Sequence, residues 1–135
     1  MSKLQEFLIS NPIHDLVEEV VLSERFQVDG EILKFKVKPV PSEEFATLQR
    51  KHTKIGKKGK TDFDNGAFQT EIVLDFTIEP DFRNAEAIKK AGCLTPKQYL
   101  NKSLKAGEVV ELFSEISRIS GFDEDLEELK EKAKN

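Results

Sequence analysis

The feature that most constrains the fold is the Asp29-Gly30 pair, which separates two stretches rich in apolar residues, VEEVVLSERFQV and EILKFKVKPV. Asp-Gly is a preferred two-residue β-hairpin turn, because both central positions need positive φ. Folding the strands about this turn pairs Val28 with Glu31, Phe26 with Leu33, Glu24 with Phe35, and Leu22 with Val37. Opposed residues share a face. This register gathers six apolar side chains on one face, opposite Lys34, Lys36 and Lys38: Leu22, Phe26, Val28, Leu33, Phe35 and Val37. We therefore predict an antiparallel hairpin here.

Two helices are predicted around the hairpin. Ser2 is placed to cap a short helix whose inward residues are Leu4, Phe7 and Leu8. After Pro39 and Pro41, Ser42 is placed to cap a helix of about twelve residues. The inner stripe of that helix contains, at helical spacing, Phe45 and Leu48, with His52 and Ile55 as further candidates.

The last third of the chain is predicted to be helical. The first predicted helix start is Asn84. The second is the capping box Thr95-Pro96-Lys97-Gln98, with Leu94 and Tyr99 as a hydrophobic staple. The third is Asp123, before Leu126, Leu129 and Ala133. Between them, a helix after Gly107 carries an apolar stripe of Val109, Leu112, Phe113, Ile116 and Ile119. Gly121 is placed as its left-handed cap, with Phe122 folding back on Ile116.

The segment DNGAFQTEIVLDFTIEP, up to Pro80, is ambiguous. Ile72, Leu74, Phe76 and Ile78 alternate as in a strand, whereas Phe68, Ile72 and Phe76 repeat at four as in a helix. The periodicity leaves both structures open. The fold class is therefore α+β: an N-terminal antiparallel β-hairpin, with or without a third strand, packed against several short α-helices, with a helical C-terminal half.

The length of 135 residues fits a single domain, with a hairpin-containing part over about 15–60 and a helical part over about 64–134. The net charge of -4 gives no overall attraction to nucleic acid. Cys93, the only cysteine, excludes an internal disulfide. The N-terminal residues lack the apolar run of a signal peptide, and no stretch reaches the roughly 20 apolar residues of a membrane span. We expect a cytoplasmic protein with no membrane partner.

No set of residues indicates catalysis, a cofactor or a metal ion, so we do not expect an enzyme. The sequence Gly56-Lys57-Lys58-Gly59-Lys60-Thr61 ends like a phosphate-binding loop, but Lys54 stands where that motif needs its first glycine. The two histidines, His14 and His52, have no second ligand at metal-binding spacing. Asp62 to Gly66 is interpreted as an Asx-type turn into the next element.

The chain offers two candidate contact surfaces. The first is a mobile basic loop over residues 50–60, which would contact a nucleic-acid backbone or another protein through Arg50, Lys51, Lys54, Lys57, Lys58 and Lys60. The second is apolar surface left over on the C-terminal helices, where a partner would bind Leu94, Leu100, Leu104, Leu112, Phe113, Ile116, Ile119 and Phe122. We favour protein binding, with nucleic-acid binding through the basic loop as the alternative.

The order of these features resembles the XkdN-like tail assembly chaperones of contractile-tailed phages and phage-derived elements. The matching strings are SERF, the hairpin, PSEEFATLQRKHTK, IEPDF and AGCLTPKQYLNKSLKAGEVVELFSEISRISGF. The resemblance spans about residues 17–125 and is most specific from Leu94 to Phe122.

The resemblance implies a chaperone that binds the tape measure protein, recruits tail tube subunits, self-associates, and leaves before the tail is finished. It also favours a helix over residues 66–79. Many such genes encode a longer second product through a programmed frameshift. The terminal Ala133-Lys134-Asn135 is compatible with an A-rich slippery heptamer, which the codons of the gene would confirm or exclude.

Overall fold

The computed structural model of the chain describes residues 1–122 and Ala133. The predicted helix start at Asp123, with Leu126 and Leu129, lies outside the described residues. Six α-helices are described, and their bounds are α1 Lys3–Ser10, α2 Ser42–Lys51, α3 Asn65–Phe76, α4 Ala85–Lys90, α5 Pro96–Ser103 and α6 Ala106–Ile119. Seven short strands lie between them: β1 Glu18–Val20, β2 Gln27–Val28, β3 Glu31–Ile32, β4 Phe35–Val37, β5 Thr53–Ile55, β6 Thr61–Phe63 and β7 Thr77–Glu79. The α+β class is confirmed.

The hairpin turn at Asp29-Gly30 is confirmed. Both residues have positive φ, 52° and 81°, as the turn requires. Val28 pairs with Glu31, and the Leu33 amide donates to the Phe26 carbonyl at 2.7 Å. The predicted register is therefore correct for the residues next to the turn.

Farther from the turn, the predicted register is wrong by four residues. Phe35 pairs with Val20 and Val37 pairs with Glu18, rather than with Glu24 and Leu22. The physical reason is a local turn from Ser23 to Phe26, in which the Ser23 hydroxyl accepts from the Arg25 amide and the Ser23 carbonyl from the Phe26 amide. Because of this turn, residues 21–26, which precede Asp29-Gly30, lie outside the strands. Only residues 33–34 lie outside the strands on the other side of the hairpin.

The central sheet has three antiparallel strands in the order β1–β4–β7. The sequence left open whether a third strand joins the hairpin, and Thr77–Glu79 is that third strand. The ambiguous segment contains both structures, because Asn65–Phe76 is α-helical and the strand follows at once. Asp64 caps this helix by accepting a hydrogen bond from the Ala67 amide, as expected for an Asx-type turn.

The core lies between the sheet, α3 and α6. Its fully buried side chains include Val37, Ile72 and Val73 on one side and Leu112 and Ile116 of α6 on the other. Phe68 of α3 contacts Phe45, Phe63 and Phe113, with ring centroids 5.2–6.2 Å apart. The predicted stripe of α6 therefore faces the core, with Val109, Phe113 and Ile119 partly buried at its borders.

Several helix ends follow the sequence. Ser2 and Gln5 form a capping box, Asn84 caps α4, and Thr95 accepts from the Gln98 amide at the start of α5. Gly121 has φ 96°, as a left-handed cap requires. In α2, however, Pro41 is the cap position, and Ser42 is already the first helical residue.

Two side-chain placements were predicted incorrectly. Leu94 is 88% exposed and forms no staple with Tyr99. Ile55 is 81% exposed, because it lies on a protruding strand rather than on α2. After the cap at Gly121, the Phe122 amide donates to the Ser117 carbonyl, and the Phe122 ring packs against the Phe45 ring with centroids 4.9 Å apart.

The apolar residues of α1 were also predicted to face inward, and they do not. Leu4, Phe7 and Leu8 are 59–67% exposed, and α1 contains no buried residue. The prediction assumed that an amphipathic stripe is covered by the same chain. Separately, none of the described helices combines the length and the apolar character needed to cross a membrane.

Candidate functional site

An open groove of about 650 Å³ lies between the β2–β3 hairpin, β4 and α5. Its floor and walls are apolar, and they are formed by Phe26, Ile32, Leu33, Phe35, Pro80, Phe82, Tyr99 and Leu104. Its rim is charged, with Glu19, Glu31, Lys34, Lys36 and Glu79. An apolar interior with a few polar groups around it is typical of binding sites.

The floor of the groove is rigid, because its aromatic side chains hold one another. Phe26 and Phe35 meet edge to face with ring centroids 4.9 Å apart, and Phe82 and Tyr99 do so at 5.5 Å. Phe35 and Phe82 are almost fully buried, at 4% and 1% exposure. A ligand in the groove would therefore contact a surface that is already formed.

The wall made by the hairpin leaves apolar surface in water. Ile32 is 41% and Leu33 is 48% exposed. Fully burying one such side chain contributes about 2 kcal/mol, so covering the exposed half of each would contribute about 1 kcal/mol. This wall is the part of the groove with most to gain from a partner.

The rim carries two ion pairs across neighbouring strands. Lys34 Nζ lies 3.9 Å from Glu19 Oε2, and Lys36 Nζ lies 3.5 Å from Glu79 Oε2. All four side chains are well exposed, and exposed pairs of this kind contribute 1 kcal/mol or less. A partner with its own charges can therefore displace them at small cost, so the rim favours selectivity over affinity.

Beneath the groove, Arg25 joins the hairpin to the corner between α5 and α6. Its guanidinium binds both carboxylate oxygens of Glu108 and donates to the Ser103 carbonyl at 2.8 Å. The guanidinium carbon also lies 4.2 Å from the centre of the Phe26 ring. Both sides of the groove are thus fixed to one another.

The hydrogen bonds from Arg25, with a further one from the Lys105 amide at 2.7 Å, lower the pKa of Glu108 to about 2. Desolvation acts in the opposite direction and is outweighed. The same interaction raises the pKa of Arg25. Glu108 is therefore a carboxylate at neutral pH, and the pair is a structural clamp rather than a proton donor or acceptor.

Four of the eight residues predicted to bind a partner on the C-terminal helices lie in the core: Leu100, Leu104, Leu112 and Ile116. They do not form the exposed strip that was expected, although Leu104 reaches the groove floor. Phe113 and Ile119 are partly buried against the core. Only Leu94, at 88%, and Phe122, at 58%, are largely exposed.

The basic segment at residues 50–60 is not the loop that was predicted. Arg50 and Lys51 belong to the last turn of α2, and the following residues form an antiparallel hairpin, β5–β6. The Gly56 amide closes this hairpin on the Lys60 carbonyl at 2.6 Å. The lysines exposed on the hairpin are Lys54, Lys57, Lys58 and Lys60.

Lys51 pairs with an acidic side chain of α3. Its ammonium and the His52 ring both contact the Glu71 carboxylate on α3. Partial burial raises the pKa of Glu71, but the hydrogen bonds from Lys51 and His52 outweigh it and lower the pKa. This cluster joins α2 to α3. Across the described residues, no three His, Cys, Asp or Glu side chains converge as a metal site.

Sequence reasoning missed the groove because it assigned Leu33 and Phe26 to the core face of a regular hairpin. One signal was present: Ile32 and Leu33 are adjacent in the sequence of the predicted hairpin, and neighbouring residues of an extended segment point to opposite faces. One of two such apolar residues must face solvent or a partner. Phe82 and Tyr99 carried no comparable signal, because their meeting depends on tertiary structure.

Comparison with known proteins agrees with the fold and the motifs. The chain matches the family described as phage XkdN-like tail assembly chaperone protein over residues 4–134. It is 32% identical over 124 residues to the phage-like element PBSX protein XkdN of Bacillus subtilis (strain 168), covering 87% of this chain and 83% of that protein. It is 28% identical over 123 residues to the uncharacterized protein YqbN of the same strain, with the same two coverages.

A crystal structure of the protein YqbN has the same fold, with a TM-score of 0.65. The match covers 80% of this chain and 87% of that chain, at 22% identity. The family match covers nearly the whole chain and includes the hairpin, the groove and α6. This chain therefore belongs to the family of phage XkdN-like tail assembly chaperones.

Proposed function

We propose that this protein acts in the host cytoplasm as a chaperone for the tape measure protein of a phage tail, and that it helps recruit tail tube subunits. The observation that carries the proposal is the open groove with a rigid apolar floor and a charged rim. In a tail assembly chaperone, such a groove is suited to covering the apolar surface of a client.

The groove suits an amphipathic helix better than an extended strand. A helix presents anchors at i, i+3 and i+4, which would enter the groove together, while its polar face would meet the rim. The client is thus proposed to offer two or three apolar side chains per chaperone.

The proposed activity is binding without chemical catalysis. A chaperone of this kind shifts the client away from aggregation by burying its apolar surface. The rigid floor reduces the ordering cost of binding, and the weak rim pairs permit release when tube subunits cover the client.

Co-expression with the tape measure protein of the same phage element tests the client. The wild-type chain is expected to raise the soluble fraction of the tape measure protein. Leu33→Glu, which places a charge in the groove wall, is expected to abolish that effect. Ile55→Glu is the matched control, because Ile55 is more exposed and lies outside the groove. No effect of the wild-type chain, or equal effects of all three chains, would contradict the proposal.

Recruitment of tube subunits requires a second surface, for which we propose Leu94 and Phe122. Leu94 is the better test, because Phe122 also packs against Phe45. Capture of the tube protein by the chaperone–client complex should fall with Leu94→Glu and persist with Ile55→Glu. Undiminished capture by Leu94→Glu would exclude Leu94 from this contact.

A further inference from the structure

The β5–β6 hairpin exposes apolar side chains on one of its faces. Thr53 pairs with Phe63 and Ile55 with Thr61, so these four side chains lie on the same face. Phe63 packs against Phe68 of α3, with ring centroids 5.2 Å apart, yet it is 41% exposed. Ile55, nearer the turn, is 81% exposed. This face can therefore bind a further apolar segment.

The same hairpin is strongly basic. Its exposed lysines are Lys54, Lys57, Lys58 and Lys60, and its one acidic residue, Asp62, stands opposite Lys54 in the ladder. The three lysines around the turn thus have no acidic neighbour within the hairpin sequence. Single exposed ion pairs contribute little, whereas several charges acting together contribute more. An occupant of this surface has to combine several carboxylates with apolar side chains.

The chain itself carries a segment of that chemistry directly after Phe122. Residues 123–131, with the sequence DEDLEELKE, contain six acidic residues and one lysine, Lys130. The apolar residues Leu126 and Leu129 are three positions apart, and acidic residues flank both. A contact within one chain also benefits from a high effective concentration, because the two parts cannot diffuse away from each other.

The segment starts close enough to the hairpin to reach it. Phe122 is joined to Phe63 through Phe45 and Phe68 by three ring-to-ring steps of 4.9, 5.4 and 5.2 Å. A chain rises about 1.5 Å per residue as a helix and more when extended, so residues 123–131 can span at least about 13 Å. The distance along this row of aromatic rings is therefore within reach.

The charges of α2 favour the direction toward the hairpin. Glu43 and Glu44 precede Phe45 at the start of α2, and they repel an acidic segment. Arg50 lies in the last turn of α2, next to the hairpin, and attracts it. Ala133 is exposed, so the contact has to end before that residue.

We propose that residues 123–131 dock on the β5–β6 hairpin of the same chain. Leu126 and Leu129 cover Ile55 and Phe63, and the carboxylates of the segment pair with the lysines around the turn. The docked segment occupies the basic surface and shields it from nucleic acid. The inference goes beyond the proposed function, because no residue of this hairpin lines the groove.

The contact can be measured by NMR in the full-length chain. A nitroxide spin label is placed at the exposed position 133, through Ala133→Cys in a Cys93→Ser background. The label is expected to broaden the amide signals of residues 55–60. The hairpin variant, Lys57→Glu with Lys58→Glu and Lys60→Glu, should lose this broadening. Adding Glu124→Lys, Glu127→Lys and Glu128→Lys to the hairpin variant should restore it, because the two charges are then exchanged.

A matched control makes the same change of charge elsewhere. Lys3→Glu, Lys89→Glu and Lys97→Glu replace three exposed lysines outside the hairpin and should leave the broadening unchanged. The proposal is overturned if the hairpin signals are not broadened, or if the hairpin variant keeps the broadening. Broadening in a mixture of ¹⁵N chains without the label and ¹⁴N chains with it would place the segment on a second copy, which also overturns the proposal.

Shielding has its own measurement. Glu124→Gln, Glu127→Gln and Glu128→Gln together should release the hairpin, so this variant is expected to retard DNA in a gel at low salt and to lose the retardation at high salt. A variant that leaves DNA mobility unchanged at low salt would overturn the shielding role. The client solubility assay depends on the groove and not on this hairpin, so the two proposals can fail separately.

Discussion

Arg25 and Glu108 are joined by two side-chain hydrogen bonds, Nε to Oε2 at 2.7 Å and Nη2 to Oε1 at 2.5 Å, although they lie 83 residues apart in the chain. Arg25 belongs to the turn that interrupts the hairpin, and Glu108 to the first turn of α6. Glu108 also accepts the Lys105 amide, as in a capping box. One carboxylate therefore caps a helix and fixes the hairpin to it.

Replacing this carboxylate should destabilise the fold. Glu108→Gln keeps the shape but loses the charge and the two-pronged geometry, and hydrogen bonds to charged groups contribute about 2 kcal/mol. We expect a decrease of about that size in the free energy of unfolding, measured by urea denaturation at pH 7. Glu111→Gln, on the exposed side of α6, is the control and should change it by less than about 0.5 kcal/mol. Equal effects of the two variants would contradict the clamp.

The contribution of Glu108 should also depend on pH in a defined window. Its pKa is about 2 in the folded chain against an ordinary 4.5, so between these values the unfolded chain binds more protons. Stability from this group is fully present above about pH 5 and is lost as the pH falls toward 2. The difference in unfolding free energy between the wild type and Glu108→Gln should shrink across that window. Glu71 is present in both proteins, so its contribution cancels in this difference. A difference that stays constant with pH would contradict the prediction.

Sequence reasoning was accurate where a local signal determines the structure. Asp29-Gly30 defined the turn and Ser2, Asn84 and Thr95 defined helix starts, because each acts on backbone groups within three residues. It failed where two local preferences compete. Ser23 and Arg25 form a turn of their own within the hairpin. As a result, Phe35 pairs with Val20 instead of Glu24, and Leu22 takes no part in the ladder.

The candidate site was less predictable than the fold. Leu112 and Ile116 were correctly identified as an apolar stripe, but periodicity does not tell whether a stripe meets the core or a partner. Leu4 and Phe7 were assigned to the interior by the same pattern and are exposed. Deciding which stripes remain uncovered requires the tertiary arrangement, so the groove and α1 were visible only in the structure.

The C-terminal stripe should therefore behave as core. Leu112 is fully buried, and its truncation to alanine should lower the free energy of unfolding by about 3 kcal/mol. Val110→Ala, two residues away and 56% exposed, should change it by less than about 0.5 kcal/mol. Chemical denaturation of the two variants checks this. A mild effect of Leu112→Ala with loss of client solubility would restore the original prediction that Leu112 binds a partner.

The basic hairpin permits a direct test of the alternative function. Lys54, Lys57, Lys58 and Lys60 are exposed, but the net charge of the chain is -4, so we expect no retardation of DNA or RNA in a gel at physiological salt. The triple variant Lys57→Gln, Lys58→Gln, Lys60→Gln should behave like the wild type. A salt-dependent shift that disappears in the triple variant would support nucleic-acid binding instead.

Two glycines at opposite ends of α6 should respond to alanine with opposite signs. Gly107 lies in the first turn, and no atom lies within 4 Å of a Cβ added there. Alanine should therefore stabilise the helix by about 0.5–1 kcal/mol, because it reduces the freedom of the unfolded chain. Gly121 has equally open surroundings, but its φ is 96°.

Gly121→Ala should lower the free energy of unfolding by about 1 kcal/mol, because a Cβ disfavours the left-handed conformation that ends the helix. The midpoint of thermal unfolding should accordingly rise with Gly107→Ala and fall with Gly121→Ala. Since neither position offers a steric clash, the difference in sign isolates backbone conformation as the cause. A rise for both variants would mean that the chain after Ile119 does not need the left-handed cap, and Phe122 would then lose its fixed position against Phe45.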